Sequence, residues 1–222
     1  FQVSYKEGFY GITNGGAQWI TPITAADEYY FAYDIYVPAG FNWPVSSKLP
    51  GLFGGDLAKA VGGVAPDGTN GFAFRQSCYS ERKAGDTAGY FNIGDGVFAS
   101  VPGIYNVTGG TDRYNYSLVD TFDENSARLA RGQWMRLEQR VKLNTATATP
   151  GEQSADGIYE AWLDGVKVFS KKDYTIRTVN TLKIDGISMV WWYGGNSTGY
   201  AAREDQAWYF DNFVVSTQPI SH

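Results

Sequence analysis

The chain carries one histidine, His222, which is its last residue, and one cysteine, Cys78. A Ser-His-Asp triad, a His-rich metal centre, a multi-cysteine zinc site and an intramolecular disulfide are therefore all set aside. Acid–base chemistry must use Tyr, Lys, Asp, Glu or Cys. Arg75 lies in a strand-like segment, Gly71 to Tyr79, whose alternation puts Phe72, Phe74, Gln76 and Cys78 on one face. Ala73, Arg75, Ser77 and Tyr79 share the other. The segment Gly89-Tyr-Phe-Asn-Ile93 repeats the layout, with Tyr90 and Asn92 opposite Phe91 and Ile93. Pairing the two as a hairpin brings Arg75, Tyr90 and Asn92 onto one surface. The plainer reading of Arg75 is an exposed charge on a strand, and of Lys48, just before a Pro/Gly-rich turn, an exposed charge on a loop. A jelly-roll glycosidase needs two carboxylates flanking the scissile bond, commonly as Glu-x-Asp-x-x-Glu on one strand face. That motif is absent.

The elements that must position these residues read as antiparallel β. Apolar/polar alternation bounded by Gly, Asn, Asp and Pro recurs at Tyr29 to Val37, Gly71 to Tyr79, Trp134 to Asn144 and Gly157 to Leu163. It returns at Val166 to Ser170, Ile184 to Tyr193 and Trp208 to Ser216. Asp164-Gly165 between two such runs predicts a two-residue hairpin turn. In the strand opened by Trp134, Met135, Leu137, Val141 and Leu143 point one way and Arg136, Glu138, Arg140 and Lys142 the other. Asp123 to Arg131 is the one helical excursion expected. Gly51 to Gly55, Val61 to Gly71 and Gly194 to Gly199 read as long Gly-rich loops that shape a binding site. The expectation is an all-β, two-sheet antiparallel sandwich or jelly roll, residues 1–222 forming one domain, with function in a concave groove.

At 222 residues, 43% hydrophobic and 16% aromatic, the chain has the material for a large core. Eighteen Lys and Arg against 23 Asp and Glu leave a net charge of −5, which argues against a nucleic-acid or anionic-membrane partner held by overall charge. No apolar run approaches the roughly 18 to 20 residues that cross a bilayer. Sequons at Asn106, Asn115 and Asn196, with the acidic, Tyr- and Trp-rich, Cys-poor composition, point to a secreted protein whose leader has been removed.

Lys48-Leu-Pro-Gly-Leu-Phe-Gly-Gly55, then an Arg-bearing strand, then a Tyr-x-Asn strand, resembles the polysaccharide lyases of families 14 and 20, which cleave alginate or glucuronan. Arg131-Gly-Gln-Trp134, Trp162-Leu-Asp-Gly165, Trp192-Tyr-Gly-Gly195 and Phe210-Asp-Asn-Phe213 look like later strands of the same families. The Lys-Leu-Pro-Gly-Leu block is fairly specific; the Trp-x-Asp-Gly and Phe-Asp-Asn-Phe pieces also occur in many lectin-like sandwiches.

The resemblance implies a jelly roll that binds an acidic polysaccharide and cleaves it by β-elimination without a catalytic cofactor. It assigns functional roles to Lys48 and Arg75. Tyr90 and Tyr200 become the candidate acid and base, in either order, with surface packing as the plain alternative for Tyr200. Gln76, Asn92, Arg136, Arg140, Trp192 and Tyr193 are the expected substrate contacts. The alginate-cleaving branch has a serine two residues before the arginine and a Tyr-x-Tyr pair; Ala73 and Tyr90-Phe91-Asn92 stand here instead, which favours glucuronan over alginate. Glu7 and Asp211 fall where many carbohydrate-binding sandwiches hold a structural calcium ion, or are solvated acids at strand ends. A monomer is expected. The rival from another class is a non-catalytic carbohydrate-binding domain, with Lys48 a mere contact; a glycoside hydrolase ranks third.

Overall fold

The structure is a computed structural model that describes residues 1–60, 67–79, 97–99 and 128–221. Among them the chain forms β1 (Gln2–Tyr5), a four-residue helix α1 (Gly11–Asn14), β2 (Gly16–Ala26), β3 (Glu28–Tyr36), β4 (Ser47–Lys48), β5 (Gly51–Gly55), β6 (Gly71–Ala73), β7 (Ser77–Tyr79), β8 (Val97–Ala99), β9 (Trp134–Lys142), β10 (Gly157–Leu163), β11 (Val166–Tyr174), β12 (Ile184–Tyr193) and β13 (Gln206–Ser216). One sheet has the order β1-β13-β3-β9-β10-β11 and the second β2-β12-β5-β6, with β4 also paired to β12. Both are antiparallel, and together they make the expected all-β jelly roll.

The period-two pattern decides which side chains lie between the sheets. On β3, Tyr29, Phe31, Tyr33 and Ile35 are buried, and on β9 so are Met135, Leu137, Gln139 and Val141. From the second sheet, β12 contributes Ile187, Met189, Trp191 and Tyr193. Full burial of such a side chain contributes about 1.5–3 kcal/mol, so this layer is the main source of stability. Aromatic pairs lock it across the gap, with Phe74 stacked on Tyr159 at 5.2 Å and Trp191 against Phe210 at 5.3 Å. The Asp-Gly hairpin forms as expected between β10 and β11, with Asp164 at φ 49° and Gly165 at φ 77°.

Two expectations change. Gly51 to Gly55, read as a loop, is the strand β5, sandwiched between β12 and β6. A Cβ at Gly51 would lie 1.9 Å from the Phe74 carbonyl oxygen, and one at Gly54 1.9 Å from that of Lys183, so glycine lets neighbouring backbones close in and erases the alternation. Gly71 to Tyr79 is broken into β6 and β7; residues 71–78 are all buried, with Phe72, Phe74 and Cys78 in the main core and Arg75 on the cleft. The expected helix at 123–131 falls mostly outside the described residues.

Candidate active site

Ser47 fixes the short strand β4. Its hydroxyl donates to the Cys78 carbonyl and accepts from the Cys78 N–H, both at 3.0 Å, which ties β4 to β7. With Ser47 buried, the next residue must face the other way, and Lys48 emerges opposite Trp192 of β12. Its Nζ donates to Ser77 Oγ at 3.2 Å. Ser77 shares a face with Arg75, whose Nη2 donates to the Ala60 carbonyl at 3.2 Å and which is only 4% exposed. Burial, seconded by the Arg75 charge, brings the Lys48 ammonium down to about 7. An amine that titrates near neutral pH thus stands beside a fixed guanidinium.

The same face of the second sheet carries a cleft of about 890 Å³. Ser188, Val190 and Trp192 of β12, Gln18 and Ile20 of β2, Phe53 of β5 and Arg75 line it. They share a face because directly opposed residues of antiparallel strands do: Ser188 faces Ile20, Val190 faces Gln18, and Gly186 faces Phe53. Ser77 could have been found from the sequence, since the alternation already put it with Arg75. Ser188 and Val190 follow from Trp192 by counting back in twos, but nothing in the sequence links β2 or Phe53 to them before the strand order is known.

The structure therefore brings Lys48, Arg75 and Trp192 together and sends other expected contacts elsewhere. Gln76 is wholly buried between the sheets, where its Oε1 accepts from the Tyr33 hydroxyl at 3.2 Å. Tyr193, one step from Trp192, points into the core and donates to the Asn42 carbonyl at 2.7 Å. Arg136 and Arg140 face outward from the other sheet, because β9 belongs to it. There Arg136 pairs with Asp34 at 2.8 Å, and Arg140 with Glu28 and Glu160 at 2.7 Å each. These two arginines, expected as substrate contacts, therefore do not line the cleft.

Tyr200 closes a short 3-10 turn, Thr198–Tyr200, and its half-buried ring lies against Gly195, where a Cβ would come within 2.2 Å of it. Gly195 follows the cleft strand β12 by two residues. Tyr90 and Asn92 lie outside the described residues, as do Asn106, Asn115 and His222. Glu7 and Asp211 do not make one ion site. The Glu7 N–H donates to Asp205 at 3.0 Å, beside the start of β13, whereas Asp211 lies five residues along that strand from Gln206, roughly 16 Å at the usual rise. Calcium ligands must converge to about 2.3–2.6 Å. Among the described residues no three His, Cys, Asp or Glu side chains come together as a metal site.

The polysaccharide lyase 14 family profile matches residues 1–213. The chain belongs to polysaccharide lyase family 14. It is thus a polysaccharide lyase, and the cleft lined by Arg75 and Trp192, with Lys48 beside it, is its candidate active site. Solved structures of alginate lyases share the fold. Aly36B superposes with a TM-score of 0.72 at 19% identity, covering 100% of this chain and 82% of its own. The marine PL-14 alginate lyase from Aplysia kurodai gives 0.71 at 23%, covering 98% and 82%. Alginate lyase vAL-1 from Chlorella virus gives 0.69 at 19%, covering 96% and 83%. No curated protein sequence matches this family 14 chain significantly.

Proposed function

We propose that this lyase cleaves a 1,4-linked polyuronate by β-elimination, with Lys48 moving the proton at C5 and Arg75 facing the uronate carboxylate. The observation that carries the reading is the convergence of Lys48, bonded to Ser77 and opposite the cleft residue Trp192, with the buried Arg75 that lines the cleft. Elimination breaks the C5–H bond and sends its electron pair into a new C4–C5 double bond. The C4–O bond breaks as that double bond forms, its electron pair leaving with the oxygen, which takes up a proton. Removing a proton beside a carboxylate builds charge on an existing anion, so a donor aimed at that carboxylate lowers the barrier. Arg75 is such a donor, always charged and able to bond a carboxylate through two nitrogens. The amine of Lys48 is basic enough to take the proton while still half neutral near pH 7. Tyr200 and Tyr90 are candidates for returning a proton to the leaving oxygen.

Two observations bear on the substrate. Variants of Aly36B have been solved with alginate trisaccharide and tetrasaccharide bound, which supports an acidic polysaccharide and makes alginate the first polymer to test. Ala73 and the Tyr90-Phe91-Asn92 segment are the sequence departures that favour glucuronan. We place the enzyme outside the cell, as its acidic, Tyr- and Trp-rich, Cys-poor composition suggests. Incubation with alginate, its mannuronate-rich and guluronate-rich fractions, and glucuronan tests the reading. Appearance of the ultraviolet absorbance of an unsaturated uronate supports elimination. Binding or reducing-end release without it would leave a lectin or a hydrolase.

A further inference from the structure

The cleft is electrically lopsided along its length. Of the charged residues lining it, among the described residues, Arg75 is cationic, whereas Asp56 and Asp185 are anionic. Lys48 stands opposite Trp192 at one end of β12, and Asp185 precedes Gly186 at the other. Six residue steps separate Gly186 from Trp192, roughly 20 Å, and Arg75 lies beside Gly51, which pairs with Ser188 between them, so the two ends meet different sugars of a bound chain.

Asp185 is held in place by local structure. The register between β12 and β2 slips between Ile184 and Gly186, an irregularity of the kind that re-aims a side chain. The Gly55 N–H, at the end of β5, donates to Asp185 Oδ1 at 3.1 Å. The preceding Lys183 is turned away, with its Nζ 2.8 Å from both carboxylate oxygens of Asp27. Asp185 is half-buried, and that burial raises its carboxyl above the usual range, against the Gly55 hydrogen bond.

We propose that Asp185, seconded by Asp56, is a specificity-determining residue that sets the far boundary of polyuronate binding in the cleft. The inference rests on the polyuronate reading above. Each sugar of a polyuronate brings one carboxylate. At Arg75 that charge is met by a cation, and at Asp185 by a like charge, which disfavours occupancy there. A chain that reaches Asp185 gains less from its added length than one that stops short of it, and the enzyme's preferred substrate length follows.

Asp185→Asn keeps an oxygen for the Gly55 N–H and removes the charge, and Asp185→Glu keeps the charge. Wild type and both variants are compared on a size-graded series of oligouronates at low and high salt. For Asp185→Asn, kcat/KM on the longest oligomers at low salt rises roughly 3- to 10-fold, with little change on the shortest cleaved one. The products shift in length, and the difference fades at high salt. Asp185→Glu retains the wild-type length dependence. An equal change at every length, or none, overturns the proposal while leaving the lyase reading intact. A wild type that forms no unsaturated product from any polyuronate overturns both.

Discussion

Lys48 donates a hydrogen bond from Nζ to Ser77 Oγ at 3.2 Å, joining β4 of the second sheet to β7, between residues 29 apart in sequence. The contact holds the amine beside Arg75, and burial together with that charge lowers its proton affinity to about 7. If the neutral amine takes the C5 proton, kcat/KM rises with pH through about 7 and then levels off. Lys48→Arg is charged at every accessible pH and Lys48→Ala has no base; each should cost roughly 10²–10⁴-fold in turnover. A pH–rate profile of the wild type and initial rates of both variants check this. Full activity in Lys48→Arg would remove lysine as the base.

The same lysine has a consequence for folding. Its proton affinity is depressed in the folded protein, so between about 7 and the unfolded value of 10.5 the unfolded chain binds more protons. Stability contributed at this position is therefore gained as pH rises through that window and lost as pH falls towards 7. Lys48→Met, which keeps the length and the packing without the amine, should flatten this part of the stability–pH curve. Chemical denaturation at several pH values across the window is the measurement.

Much of this arrangement was legible from residue order alone. Alternation in Gly71 to Tyr79 separated Arg75 and Ser77 from Phe72, Phe74, Gln76 and Cys78, and the structure keeps that division. By the same logic Gln76 belonged to the core, and its assignment to the substrate was at odds with the pattern. Alternation also split Trp192 from Tyr193. What it cannot say is which sheet a strand joins. Arg136 and Arg140 do face outward from β9, but from the sheet opposite the cleft, a fact fixed by long-range pairing of β9 with β3 and β10. The glycines of β5 hid a strand for a related reason: where backbones approach closely there are no side chains to alternate.

Tyr200 carries a hydroxyl near the end of the cleft strand, with its ring already packed on Gly195. Tyr200→Phe preserves that packing and should leave thermal stability within about 0.5 kcal/mol of the wild type. If the hydroxyl returns the proton to the leaving oxygen, kcat falls about 10²-fold or more while KM changes little. Unchanged kcat in Tyr200→Phe, with loss in Tyr90→Phe, transfers that role to Tyr90.

On the outer face of the six-stranded sheet, Glu160 is 4% exposed and accepts from Lys167 at 2.6 Å and Arg140 at 2.7 Å. Burial alone would raise its carboxyl, but these hydrogen bonds and charges hold it at about 2. With a folded value below the unfolded one, its stabilisation is complete above about 4.5 and is lost as pH falls towards about 2. Glu160→Gln should lower stability at neutral pH by about 2 kcal/mol and weaken the acid limb of the stability curve. Catalysis at neutral pH should be unaffected, because this face lies across the sandwich from Lys48.

Gly186 and Phe53 test whether the cleft floor is shaped by a missing side chain. They are directly paired across β12 and β5, and a Cβ at Gly186 would lie 2.3 Å from Phe53 Cε1 and 2.5 Å from Cζ. The ring thus lies over the glycine, in the space a side chain would need, and it is only 4% exposed. Gly186→Ala must push the ring aside at a cost of about 1–3 kcal/mol, and the displaced ring intrudes on the cleft. Stability and substrate affinity should fall together, with a rise in KM larger than the fall in kcat. Shrinking the ring relieves the clash, so Phe53→Leu combined with Gly186→Ala should be more stable than the sum of the two single losses allows. A double-mutant cycle that closes without coupling would show that the ring and the glycine do not constrain each other.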